Sequence, residues 1–227
     1  MDTPADPAME LRVAGRALAR AGLVHAYGHC SVRLGTGSFL ISAARPLGLI
    51  RTGERGIEVP LHGPLPDGVA GEVRLHRAIY RARLDLGAVC RVQPPATMAL
   101  SVLARTPRAL HGFSSYYAGG IPLFDSPALV RDDATATRLA NVMGAAHAVV
   151  MRGNGAAVAA GDLRTAVCLA WCLEDSARLE LSVLAAGLEP VPLTPHEVAQ
   201  RATWHGGLAD RMWAFLTDGD AEANVLP

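Results

Sequence analysis

A chain of 227 residues, 50% hydrophobic and 19% charged, can bury a core of one ordinary domain without disulfide or metal staples. That composition lies far from the signature of disorder. Lys plus Arg and Asp plus Glu number 21 each, so the net charge offers nothing to attract nucleic acid or an anionic membrane, and a small-molecule partner is expected. Asp2, Pro4, Asp6 and Pro7 stand where a signal peptide needs basic residues and then an apolar run. No apolar stretch free of charge reaches about 18 residues, so no membrane span is expected and a cytoplasmic location follows by elimination.

Taken in chain order, residues 8–23 place Met9, Leu11, Val13, Ala17, Leu18 and Ala21 on one helical stripe and Arg12, Arg16 and Arg20 at i, i+4 on another, with Gly22 as the stop. Two alternating segments, 29–34 and 38–43, flank Gly35-Thr36-Gly37 and predict a pair of antiparallel strands. Residues 51–71, rich in Gly and Pro, read as an irregular or hairpin segment. A helix over 72–84 leads to a strand over 87–92, then Pro94-Pro95 and a helix over 96–104. Residues 111–127 form a glycine-rich, aromatic turn region. The aspartates at 132 and 133 suit the start of a helix over 132–146. The segment 147–152 is apolar on both faces and predicts an interior strand. After GNGAAVAAG comes a long helix, Asp162 to Ala186, closed by Gly187. Pro190, Pro192 and Pro195 separate it from two last helices near 195–204 and 207–217.

Cys30, Cys90, Cys168 and Cys172 show no CxxC pair, and buried free thiols are the expectation. A site built from His29, His76, Cys90 and His111 is an alternative, although no closely spaced ligand pair supports it. His25, His62, His147, His196 and His205 carry no motif and are expected to be surface or core residues.

Four segments in order, GHCSVR at 28–33, GEVRLHRAIYRARLDLGAV at 71–89, RVQPPATMAL at 91–100 and VVMRGNGAAVAAGDLRTAV at 149–167, together resemble the class II aldolase/adducin family. The resemblance spans about residues 8 to 187. It implies an α/β fold: one three-layer domain with a central, mainly antiparallel sheet flanked by helices, over residues 1–187, with 188–227 a helical extension packed on it. Fold alone does not settle chemistry. Catalytic members resembling this chain carry His-x-His and His-Gly where Arg91, Gln93 and Asn154 stand here, and those imidazoles hold a divalent metal. A guanidinium cannot ligate a cation and repels one, and two amide oxygens leave too few ligands, so no metal or other cofactor is expected.

Glu72 matches the family's acid/base carboxylate and is the candidate catalytic residue; a glutamate favoured by a helix dipole is the bland alternative. The phosphate-binding polar residues of the sugar-phosphate members are largely absent: His29 stands for Asn in the Gly-Asn-x-Ser motif, followed by Ser31, Arg45-Pro46-Leu47-Gly48 occupies the second turn, and Ala70-Gly71 replaces a Ser pair. Arg45 and Arg91 instead suit a carboxylate. The candidate substrate-binding residues are therefore His29, Ser31, Arg45, Arg91, Gln93, His111 and Asn154. The expected activity is that of a lyase cleaving a carbon–carbon bond of a small carboxylate- or carbonyl-bearing substrate, of aldolase or decarboxylase type. The alternative is a non-catalytic, metal-free anion- or partner-binding protein of the adducin type. A homotetramer is implied by the resemblance.

Overall fold

A computed structural model of the chain describes residues 6–204 and 207–223. The signal-peptide reading falls mainly on residues 1–5, outside the described residues, as does His205. Helix α1, Pro7–Arg20, starts where the Asp6 carboxylate accepts a hydrogen bond from the Ala8 N–H and proline takes the first helical position, so two of the features that begin helices coincide. Strands β1 (His29–Leu34), β2 (Ser38–Ile41) and β3 (Ile57–Pro60) form a meander, and α2 (Val73–Ala82) leads to β4 (Ala88–Val92) and α3 (Pro95–Ser101). Then follow β5 (Leu123–Phe124), α4 (Asp133–Met143), β6 (Ala148–Met151), β7 (Gly155–Ala160), α5 (Leu163–Ala185), α6 (Pro195–Arg201) and α7 (Leu208–Thr217). The strands make one sheet in the order β3-β2-β1-β4-β7-β6-β5, antiparallel throughout except for the β5–β6 pair. Helices cover both faces, giving the expected three layers.

Strand parity divides the molecule, because successive side chains point to opposite faces. Cys30, Ala88, Cys90, Val92, Val150 and Val158 pack with α1 and α5 on one side. Val89, Val149, Met151, Ala157 and Ala159 pack with α2 and α4 on the other. In β1 and β4, His29, Ser31 and Arg91 share the parity of that second set. Register reinforces the division: Cys30 lies opposite Cys90 and His29 opposite Arg91.

Three strands lie outside the segments read as strands from the sequence. β3 sits inside 51–71, β5 inside the aromatic turn region, and β7 is the run Gly155–Ala160. β7 lies between β4 and β6 and is fully buried, a setting in which small side chains let helices pack close to both faces of the sheet.

The arginine stripe of α1 meets the chain's far end. Arg12 donates to Glu222 with its closest contact at 2.6 Å, Arg16 donates to both Asp220 (2.7 Å) and Glu222 (2.9 Å), and Arg20 reaches Asp220 at 3.5 Å. These arginines hold both carboxyls below their usual range despite burial. Helix α7 packs on α1 and α5. Among the described residues no helix is long and apolar enough to cross a membrane.

Candidate active site

Glu72 stands at the N-cap of α2, yet its side chain does not cap that helix. One carboxylate oxygen accepts the Val130 N–H at 2.9 Å and the other meets the Arg91 guanidinium at 3.0 Å. The helix-dipole reading therefore misses where the carboxylate points. Arg91 is only 2% exposed. Its Nη2 also donates to Asn154 Oδ1 at 2.9 Å and its Nη1 to the Val92 carbonyl at 2.8 Å, while Nε is buried without a partner. Burial pulls the guanidinium below its ordinary value and Glu72 opposes that pull. Gly155 makes room for the arrangement: with φ +87°, any Cβ there would stand 2.2 Å from the Val92 carbonyl and 2.9 Å from Arg91 Nη1.

Above this pair opens a cavity of about 550 Å³, within the range usual for small-molecule sites. His29, Arg45, Glu72, Arg91 and Gln93 line it. Of the other candidates, Ser31 is fully buried behind His29, and Asn154 holds Arg91 from behind without lining the cavity. His111 is elsewhere. Its ring binds Ser114 and Asp175 and borders a different hollow, next to α6, so its placement with the other candidates is corrected for this chain. The fork expected of Arg91 is likewise spent largely on protein partners. Arg45 donates to Glu54 at 3.0 Å, which offsets its charge.

The sequence reading missed Arg131, on the rim beside Gly71. It is exposed, and its side chain has no ion-pair or hydrogen-bond partner among the described residues. No spacing pointed to it. His76 and Tyr80 were legible in principle, because Glu72, His76 and Tyr80 recur every four residues along α2, one face of a helix. His76 Nε2 lies 2.6 Å from His29 Nδ1, His76 Nδ1 2.6 Å from Ser31 Oγ, and Ser31 Oγ 2.9 Å from the Tyr80 hydroxyl. Burial, and the nearby Arg91 charge, hold His76 down to about 3 and His29 well below its ordinary value.

The donor set does not fit the family's divalent metal. A guanidinium sits among the positions that would supply ligands and already draws on the Glu72 carboxylate and the Asn154 amide oxygen. Among the described residues no group of three or more His, Cys, Asp or Glu side chains could hold a metal ion. The His29, His76, Cys90, His111 alternative fails on geometry: Cys90 faces the α1/α5 layer and His111 is bound to α5. All four cysteines are free and buried, and burial pushes Cys30 and Cys168 up to about 12.

The match of residues 9–181 to the model of the "Class II Aldolase and Adducin N-terminal domain" settles the class: this chain belongs to that family. A relative from Arthrobacter keyseri named 3,4-dihydroxyphthalate decarboxylase is 32% identical over 194 residues, 78% of each protein. A second of that name, from Terrabacter sp. (strain DBF63), is 29% identical over 200 residues, 81% of this chain and 84% of that one. Among solved structures, L-fuculose-1-phosphate aldolase from Thermus thermophilus superimposes with a TM-score of 0.72 at 29% identity, covering 80% of this chain and 96% of that one. An aldolase II superfamily protein from Pseudomonas syringae reaches 0.79 at 23% identity, over 95% and 92%, and speaks for the fold alone.

Proposed function

We propose that this protein is a carbon–carbon lyase of decarboxylase type that acts on a small aromatic carboxylate, with a dihydroxyphthalate as the first candidate, and that it works without the family's metal in this cavity. The observation that carries the reading is the cationic lining of the cavity: Arg45 and Arg131, the latter without a partner among the described residues, line it together with the Arg91–Glu72 pair. The two relatives named for 3,4-dihydroxyphthalate decarboxylation support the same class of substrate. A substrate carboxylate binds at Arg131, with Arg45 as second partner, because a guanidinium offers a planar pair of donors matched to two oxygens. The bond between ring carbon and carboxyl carbon breaks, CO₂ leaves, and the electron pair stays on the ring carbon, which takes a proton. A substrate oxygen approaching Arg91 competes with Glu72 for it, and Glu72 so released takes one proton from water and passes it to that ring carbon, so that the net reaction consumes one solvent proton.

The test is CO₂ release from 3,4-dihydroxyphthalate by the purified protein, alongside Arg131→Ala and Glu72→Gln. Wild type should turn over, Arg131→Ala should raise KM about tenfold for one lost charge-assisted contact, and Glu72→Gln should lower kcat. A wild-type protein that neither turns over nor binds any aromatic dicarboxylate overturns the proposal. Both Glu72 oxygens are already engaged, which favours a second reading, non-catalytic anion binding. Binding without turnover by wild type would establish that one.

A further inference from the structure

Behind the cavity wall lies a run of hydrogen bonds whose direction follows from counting protons. Tyr80 has one hydroxyl proton and two acceptors in reach, Ser31 Oγ at 2.9 Å and the Gly87 carbonyl at 3.5 Å. An O–H···O bond is best near 2.7–2.8 Å and weak at the longer distance, so the proton lies toward Ser31. Ser31 then accepts from Tyr80 and sends its own single proton to His76 Nδ1, 2.6 Å away. With Nδ1 accepting, the His76 proton sits on Nε2 and is donated to His29 Nδ1, also at 2.6 Å. His29 Nδ1 is therefore an acceptor. In a neutral imidazole the remaining nitrogen carries the proton. Both rings are kept neutral by burial and by Arg91. Reversing the run would leave Tyr80 to donate across 3.5 Å, and every bond would depend on its weakest member.

We propose that Tyr80, Ser31 and His76 are positioning residues that fix His29 as the Nε2–H tautomer, and that this N–H donates to an anionic oxygen of the substrate, a carboxylate or phenolate, in the cavity that His29 lines. The ligand half of this inference rests on the anion-binding reading above; the tautomer half does not. Cross-strand pairing of His29 with Arg91 sets the donor next to the Arg91–Glu72 pair, whose arginine stands at one of the family's metal-ligand positions. A preset N–H needs no reorganisation when charge gathers on the oxygen it meets. Discrimination follows as well. An ester or amide at that position offers a weaker acceptor than a carboxylate or phenolate, so an uncharged analogue forfeits much of the contact.

The test has two arms. In the first, wild-type protein with ¹⁵N-labelled histidine is examined by long-range proton–nitrogen correlation at neutral pH. His29 and His76 should each carry their proton on Nε2, and a proton on His29 Nδ1 overturns the tautomer assignment. In Ser31→Ala, which loses the donor to His76 Nδ1, both rings should shift toward a mixture of tautomers; an unchanged His29 signal overturns the positioning role. In the second arm, phthalate binding is measured by calorimetry on wild type, His29→Gln and His29→Leu. His29→Gln keeps an amide N–H near the Nε2 position and should bind within about threefold of wild type, while His29→Leu should lose about tenfold. Equal binding by His29→Leu and wild type overturns the donor role. Failure of wild type to bind phthalate or dihydroxyphthalate overturns the ligand half together with the proposed function. A proton on Nδ1 with binding intact overturns this inference alone.

Discussion

Arg91 is a cation with almost no access to water, so its partners decide whether it can stay there. A buried ion pair is a weak source of net stability, but removing one member strands the other charge. Glu72→Ala should therefore cost roughly 3 kcal/mol in urea unfolding, and Glu72→Leu combined with Arg91→Met should recover most of it. If the double variant is no more stable than Glu72→Ala, the pair is not what holds Arg91. The two buried histidines give a pH signature. Unfolded, each takes up a proton near 6.5, whereas folded His76 waits until about 3 and His29 also lies well below its ordinary value. Below pH 6.5 the unfolded state thus binds more protons, and stability falls with falling pH, by a little over 1 kcal/mol per pH unit for each histidine. Unfolding midpoints between pH 7.5 and 5 should show this, and His76→Asn should flatten the slope. The sequence exposed the residue types of this site but not their pairings. Replacement of a ligand strand's histidine by Arg91 was visible, whereas the capture of that arginine by Glu72, Asn154 and the Val92 carbonyl depends on atoms brought together by the fold.

Helices were the legible elements, because apolar stripes and capping aspartates leave marks at fixed spacing; Asp132 and Asp162 do accept the backbone N–H three residues on. The strands β1, β2, β4 and β6 were marked by alternation or by buried β-branched residues. β7 had neither. Its alanines have no strong strand preference, and its place in the sheet comes from the β4 and β6 neighbours on either side. Its first residue provides a sharp test. Gly155→Ala should destabilise by more than about 2 kcal/mol and disturb Arg91, since the positive φ and the clash with the Val92 carbonyl act together. Gly161→Ala is the control, with negative φ and its nearest neighbour 4.0 Å from the added Cβ, and should change the unfolding midpoint little. Similar losses in both variants would mean the cost is generic to adding a methyl group at a glycine of this segment.

Several large apolar side chains remain uncovered over the whole molecule, among them Tyr27 at 74%, Phe215 at 70% and Val191 at 88% exposed. Tyr27 and the half-exposed Leu129 lie on the rim of the candidate site, where a neighbouring copy would complete a wall. Another hollow of about 400 Å³, lined by Phe113, Trp171, Trp204, Leu208 and Phe215 with Cys168, Cys172 and Arg211 also on its wall, is mostly apolar. A closed homo-oligomer, with four copies as the expectation, accounts for such surfaces. Light scattering at micromolar concentration should give about four times the chain mass, and a monomer would count against shared sites.

The arginine ladder on α1 has a consequence in time. Arg12 and Arg16 find their carboxylates 204 to 210 residues further along the chain. At a synthesis rate of roughly 5–20 residues per second, α1 spends on the order of 10 to 40 s outside the ribosome before Asp220 and Glu222 exist to meet it. Until then three guanidiniums stay hydrated along a helix whose other side already seeks the sheet. Residues made 204 to 210 positions later are thus the latch on α1, and a nascent chain stalled just short of Asp220 should be far more open to protease around α1 than one that includes Glu222.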